Sequence, residues 1–481
     1  MKLIPILFLF LLFVVAFSLR IFPLQESCGW DDCSYLQNAE VMFGFKNNNY
    51  DEFFYRPLLI SVLFGIGFII WHHIFVASII TALLGSIGVM LFYFIGKELY
   101  NKKVGWVAAL IACFLPALVS NSNTMLADVP GLSFLSFSFY FFILFYKSKK
   151  PIFGYLSGMF VGLTILMRYA ALLDFLVLFL VFSVFFIVSK RKNLIKCIFS
   201  KQTFIGAFIV LFLYLLSAFI FYGFGAIPLF QRAARAVSGW DTPFLFYVNI
   251  FPWYFSLIVF FGIFFLIFYW FNKSVRAKKQ KKEIKINTSD LSLLIWFFAL
   301  FIFMCFTPHK EDRYLLLPLA IPSILLGTRG ILLAWDWINS KKNVLGKAIL
   351  FFIFLMLICF SFAPVILNLN QPLIDNAISE ERIIIKTLQE KGYLNDTLIY
   401  TNYLFPHYAY HSNFKIRTVY QSEERFFPDY YTLTKPGFLV YYKEHDFAPG
   451  LNWADQRNEL TRFMETKNIV VYQFDPLKMI N

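Results

Sequence analysis

The chain has 481 residues, of which 59% are hydrophobic and 15% charged, with a formal net charge of +14. A soluble domain is about 45–50% apolar and about 25% charged, so this composition excludes a water-soluble enzyme, and its hydrophobicity excludes a disordered chain. Nor does the positive charge mark a nucleic-acid binder. The basic runs at 147–150, 190–192 and 278–282 lie between apolar segments, where they anchor helices against anionic lipid.

In chain order, the apolar segments give eleven candidate spans at 3–22, 75–96, 104–120, 129–146, 152–168, 170–189, 203–223, 250–271, 289–307, 313–332 and 347–367. Each is near the length of about 20 residues that crosses a bilayer. Lys2 precedes the first, but no small-residue cleavage pattern follows it, so it reads as a retained anchor. The stretch 57–71 is short and begins at a proline, which suits a re-entrant or interface-lying helix. With the N-terminus cytoplasmic, Lys2 and the loops at 97–103, 147–151, 190–202, 272–288 and 333–347 together carry 22 of the 43 lysines and arginines. That bias puts the first loop, 23–74, and the segment 368–481 on the extracytoplasmic side of a cell membrane or ER-type membrane.

Beyond Pro364 the pattern changes to that of a water-exposed fold. A helix over 380–391 ends at Gly392, strands follow at 397–400, 415–420 and 437–442, then a helix near 454–466 and a strand at 468–474. Such alternation predicts a small α/β layer. The expected fold is therefore a polytopic α-helical membrane protein of about eleven spans over 1–367, followed by a small extracytoplasmic α/β domain, 368–481.

Cys113, Cys197, Cys305 and Cys359 lie in or at the ends of apolar segments and form no metal pattern. Cys28 and Cys33 instead flank Gly29-Trp30-Asp31-Asp32 in the first loop, where a disulfide can persist. Spacing alone does not decide whether they pair.

Charges at membrane depth are costly and tend to mark function, and here they share the extracytoplasmic side: Asp31, Asp32, Glu40, Arg56, Asp128, Arg168, Arg232, Arg235 and the run 309–314. On a helix starting near Asp31, Tyr35 lies one turn on and shares its face. Plainer roles compete. Asp31 or Asp32 can cap that helix, and Asp128 can cap one with Pro130 in its first turn. Arg168 can snorkel to the interface, Arg313 can anchor a span, and His309 beside Pro308 reads equally as a polar loop residue.

The stretch Asp31-Asp32-Cys33-Ser34-Tyr35 resembles the Asp-acidic-x-x-Tyr motif in the first extracytoplasmic loop of GT-C glycosyltransferases related to protein O-mannosyltransferases and lipid A aminoarabinose transferases. The resemblance continues in order. Arg56-Pro57 matches the basic-proline entry to a juxtamembrane helix, although Leu58 stands where a second proline is frequent. Asp128 matches the second acidic site. The segment 158–169 resembles the end of span five, with Arg168 where a lysine is usual, and 309–318 resembles the opening of a late span.

This resemblance implies inverting transfer of a sugar from a polyprenyl-phosphate donor to a protein or lipid/glycan acceptor at the extracytoplasmic face. Asp31 would be the general base, with Asp32 and Asp128 the other acidic members. Arg56, Arg168, Lys310 and Arg313 would bind the donor phosphate, since fixed cations stabilise the charge developing there. Tyr35 and His309 would contact substrate. A divalent cation at Asp31, Asp32 and Asp128 remains open, because hard cations take carboxylate oxygens. The alternative is a transporter or flippase of a lipid-linked sugar. Transporters show internal repeats and midplane polar groups; no repeat is evident in this sequence.

Overall fold

A computed structural model describes residues 3–22, 28–49, 56–188, 200–222, 242–279, 287–340, scattered positions over 344–363, 376–401, 405–419, 427–443 without 428, and 451–479. The expected span 347–367 falls largely outside the described residues, as do Cys197, Arg232 and Arg235. The chain divides into two compact units, residues 1–24 with 78–371 and residues 25–77 with 372–481.

The first unit is helical. It contains α1 (Leu3–Ile21), most of α4 (Ile74–Leu99), α5 (Lys102–Phe114), α6 (Pro116–Asn123), α7 (Asp128–Ser148), α8 (Pro151–Met167), α9 (Ala171–Val188), α10 (Lys201–Tyr222), α11 (Phe246–Tyr254), α12 (Leu257–Lys279), α13 (Thr288–Phe306) and α14 (Leu316–Ser340). Among the described residues, five helices are long and apolar enough to cross a membrane, or six if α5 and α6 count as one bent span. Shorter apolar helices cover Pro5–Ile21, Pro151–Met167, Ala171–Ser183 and Lys201–Leu213. Helices of this kind mark an integral membrane protein.

Two expected spans are not single helices. The 104–120 span bends by 49° where α5 meets α6. Pro116 opens α6 and has no N–H, so the carbonyls of α5 lose their usual partners. Arg20 supplies the missing donors: fully buried, it bonds the Ala112 oxygen at 3.0 Å, the Cys113 oxygen at 3.2 Å and the Ala16 oxygen at 3.0 Å. The 250–271 span is broken between α11 and α12, where Ser256 takes a φ of 70°. Pro322 inside α14 creates the same vacancy, and the Trp296 indole fills it by donating to the Pro318 carbonyl at 2.9 Å. Close helix approach relies on small residues: a Cβ on Gly158 would collide with the Thr203 carbonyl, and one on Gly330 with the Gly262 carbonyl.

The second unit joins the first loop to the C-terminal segment. Its helices are α2 (Asp31–Met42), α3 (Leu59–Ile70), α15 (Asn376–Glu390), α16 (Phe405–His411) and α17 (Leu451–Asp455). Its strands are β1 (Leu398–Thr401), β2 (Lys415–Thr418), β3 (Gly437–Tyr442), β4 (Leu460–Glu465) and β5 (Ile469–Phe474), in the order β2-β1-β3-β5-β4. β1 pairs in parallel with β2 and β3, while β5 pairs antiparallel with β3 and β4. Fully buried strands such as β3 form the core with α15 and α16.

The loop is tied to this core by Asn49, whose side-chain amide donates to the carbonyls of Ala409, Ser412 and Phe414 at 3.1, 2.9 and 2.9 Å. The helix expected over 454–466 is a correction: only Leu451–Asp455 is helical, and Leu460–Glu465 forms an edge strand. Antiparallel pairing to β5, with a bulge between Arg462 and Met464, overrides the local helix preference. α3 occupies the short apolar stretch, with Ile66, Ile69, Ile70 and Trp71 exposed along it and just beyond its end.

Candidate active site

Among the described residues, the first loop carries the adjacent carboxylates Asp31 and Asp32. α2 begins at Asp31, and its N-cap is Trp30, with no side-chain cap bond, so neither aspartate caps the helix. Instead the Asp31 carboxylate is in an ion pair with Arg56 at 2.5 Å, 25 residues away in the sequence. Asp32 is buried, its carboxylate accepts the Cys33 N–H at 3.2 Å, and burial pushes its carboxyl up to about 6. Tyr35 is buried one turn along α2. Cys28 and Cys33 bracket this segment and are joined by a disulfide.

A second set stands in the helical unit. α7 and α8 form an antiparallel hairpin through Lys149 and Lys150, with Lys149 in the left-handed region, so the start of one helix meets the end of the other. Asp128 in the first turn of α7 and Arg168 at the end of α8 thereby form an ion pair. Asp128 is not an N-cap; Ala127 holds that position. Arg168 also stacks over the Tyr314 ring at 4.6 Å, with Arg313 at 5.5 Å from the same ring.

Glu311 is the hub of the adjacent loop, and it was not singled out from the sequence. Its carboxylate accepts Arg313 Nε at 2.5 Å and the Tyr314 hydroxyl at 2.9 Å, and lies 3.0 Å from His309 Nε2. Burial raises its carboxyl, but the bonds and charge from Arg313, with those from Tyr314 and His309, outweigh this and hold it near 2. The Tyr247 hydroxyl donates to the Glu311 carbonyl at 3.1 Å. The signal was present in the run 309–314, where one Glu sits among His, Lys and Arg. Lys310 turns elsewhere: it is buried and donates to the Thr242 carbonyl at 3.0 Å.

The structure thus joins Asp31 to Arg56 in one unit, and Asp128, Arg168, Arg313 and His309 through Tyr314 and Glu311 in the other. Each of the carboxylates Asp31 and Asp128 already has a guanidinium partner. Among the described residues, the side chains gathered at metal-binding distances are Cys28, Cys33, His407 and His411, with both sulfurs engaged in the disulfide.

Comparison with known proteins follows the same lines. Residues 55–222 match the family model described as dolichyl-phosphate-mannose-protein mannosyltransferase. No curated protein matches the chain. Among solved structures, the chain is similar to ArnT from Cupriavidus metallidurans bound to undecaprenyl phosphate, at 13% identity over 97% of both chains with a TM-score of 0.67. It is similar to the archaeal oligosaccharyltransferase AglB from Archaeoglobus fulgidus in complex with an inhibitory peptide and a dolichol-phosphate, at 13% identity over 98% of this chain and 74% of that one, TM-score 0.59. A crystal structure of the A. fulgidus oligosaccharyltransferase complexed with Zn and sulfate matches at 14% identity over 97% and 73%, TM-score 0.60. The fold is therefore similar to that of these solved structures.

Proposed function

We propose that the protein is a membrane glycosyltransferase moving a sugar from a polyprenyl-phosphate donor to a protein or lipid/glycan acceptor at the extracytoplasmic face, with inversion. The observation that carries this reading is the Asp31–Arg56 ion pair, which unites two separately recognised sequence motifs in one loop. The undecaprenyl phosphate and dolichol-phosphate bound in the similar structures support the donor class. An inhibitory peptide supports a protein acceptor.

In this reading Asp31 accepts the acceptor's proton as the nucleophile attacks the anomeric carbon. Arg56 orients that carboxylate. Asp32 and Asp128 are the supporting acidic groups, and Tyr35 and His309 contact substrate. Arg168 and Arg313 bind the departing phosphate, for which their planar forks are suited. Their carboxylate partners hold them in place beforehand, so little reorganisation is needed as charge develops. Lys310, held by its bond to the Thr242 carbonyl, adds its charge to the same phosphate group.

The test is Asp31→Asn in full-length protein reconstituted in liposomes and supplied with a panel of polyprenyl-phosphate sugars. The variant is expected to insert and fold but to transfer no sugar, while the wild type forms a glycosidic bond. Wild-type rates in the variant would defeat the assignment. Movement of the lipid-linked sugar across the bilayer with no bond formed would favour a flippase.

A further inference from the structure

The first loop and α16 bring together a group that sugar transfer does not use. The ligand atoms of Cys28, Cys33, His407 and His411 all lie within 4.8 Å of one another. Cys33 Sγ is 3.6 Å from His407 Nδ1, and Cys28 Sγ is 3.7 Å from His411 Nε2. Zn–S bonds of about 2.3 Å and Zn–N bonds of about 2.0 Å put the sulfur-to-nitrogen edge of a tetrahedral site at about 3.5 Å. Two of the four such edges are already close to that length.

The surroundings agree. Cys28, Cys33 and His407 are buried, and His407 Nδ1 faces the sulfurs with the Cys28 carbonyl as its other polar neighbour at 3.2 Å, a contact it exchanges for the ion. His411 is half-buried and lines a cavity of about 330 Å3 with Glu40, His72, His73 and Tyr410, which gives an ion a route in. The two histidines lie one turn apart on α16, and the cysteines are separated by four residues, a spacing found in zinc sites.

We propose that Cys28, Cys33, His407 and His411 form a Cys2His2 site for one Zn2+ when the two cysteines are reduced. Reduction transfers two electrons and two protons from a dithiol, which leaves as its own disulfide. The ion then displaces both thiol protons and the sulfurs move apart to share it. The two states differ in what they link. The disulfide closes a sequence separation of 5, whereas the ion also ties Cys33 to His407, 374 residues away. Reduced and metallated, the loop that carries Asp31 is pinned to α16. This holds whether or not Asp31 is the catalytic base.

The experiment uses the full-length protein in detergent, reduced with a dithiol, freed of metal, and titrated with Co2+ and then Zn2+. One equivalent of Co2+ per chain is expected, with the thiolate-to-cobalt charge-transfer band and the visible bands of a tetrahedral site, and Zn2+ should displace it. His407→Ala and His411→Ala should each weaken uptake at least tenfold, Cys359→Ser should change nothing, and protein oxidised to the disulfide should give no charge-transfer band. Failure of the reduced wild type to develop that band overturns the proposal without recourse to any variant. So does a band that survives unchanged in both histidine variants.

Discussion

The helical unit builds the same trio of groups twice. Arg168 pairs with Asp128 and lies 4.6 Å over the Tyr314 ring; Arg329 lies 3.5 Å from Asp290 and 4.7 Å over the Tyr100 ring. The second trio gathers at the start of α13, the first near the loop that follows its end. Their surroundings differ. Asp290 is fully buried and also accepts the Tyr100 hydroxyl at 2.7 Å, so that trio is closed and locks α4, α13 and α14 together. The Asp128 trio continues into Glu311, Arg313 and His309, and the Glu311 side chain is 34% exposed. Pairing of opposite charges is thus no mark of function by itself. What separates the two is a second, accessible layer of charge that an anionic ligand can engage.

The sharpest way to break this comparison is to remove both arginines in turn. Arg168→Ala and Arg329→Ala each leave a buried carboxylate without its partner, which costs about 3–5 kcal/mol in either case. Only Arg168→Ala should lower the sugar-transfer rate per folded molecule, by about 10²–10³-fold, the usual effect of losing one fixed transition-state donor. Equal rate losses, measured in liposomes after correcting for folded protein, would erase the distinction. Next in size is Asp290→Asn, expected to lower detergent melting temperature strongly while the per-molecule rate stays at the wild-type value. A matching loss of rate would make the closed trio functional as well.

Acidification sharpens the contrast further. The Glu311 carboxyl is held near 2, below its ordinary 4.5. A depressed carboxylate contributes stability that is complete above the unfolded value and is lost as pH falls through the folded one. Wild-type stability should therefore decline between pH 4.5 and 2, and Glu311→Gln should flatten the part of that decline owed to this loop. An unchanged slope in the variant would remove Glu311 as the hub.

Much of this was legible and some was not, for physical reasons. Most of the apolar helices, the short one included, and most of the strands follow from runs and periodicity, which are local. Asp31 and Arg56 could be read because each sits in a recognisable motif within one loop. Glu311 was missed although its partners His309, Arg313 and Tyr314 lie within three residues, because a run of mixed charge reads as a solvated loop. Tyr100 with Asp290, and His407 with His411, were missed because their meaning depends on partners far along the chain. Arg20 is the clearest case. In sequence it is a charge at the end of an anchor; in the fold it replaces donors that Pro116 removes from α5, more than 90 residues on.

The smallest expected difference concerns the two tyrosine hydroxyls. Tyr314 donates to Glu311 at 2.9 Å and Tyr100 to Asp290 at 2.7 Å, and phenylalanine at either position keeps the ring beneath its arginine. Glu311 is accessible, so water can take the vacated place and Tyr314→Phe should cost about 0.5–1.5 kcal/mol. Water cannot reach Asp290 as easily, so Tyr100→Phe leaves a buried acceptor short of a donor and should cost more, about 1–3 kcal/mol. Tyr314→Leu should lose a further ~0.5–2 kcal/mol by removing the aromatic face from Arg168. Paired unfolding measurements in one detergent decide the order. If Tyr314→Phe were the costlier of the two phenylalanine variants, the first trio would be the closed one, and the argument from accessible charge would point to Asp290 and Arg329 instead.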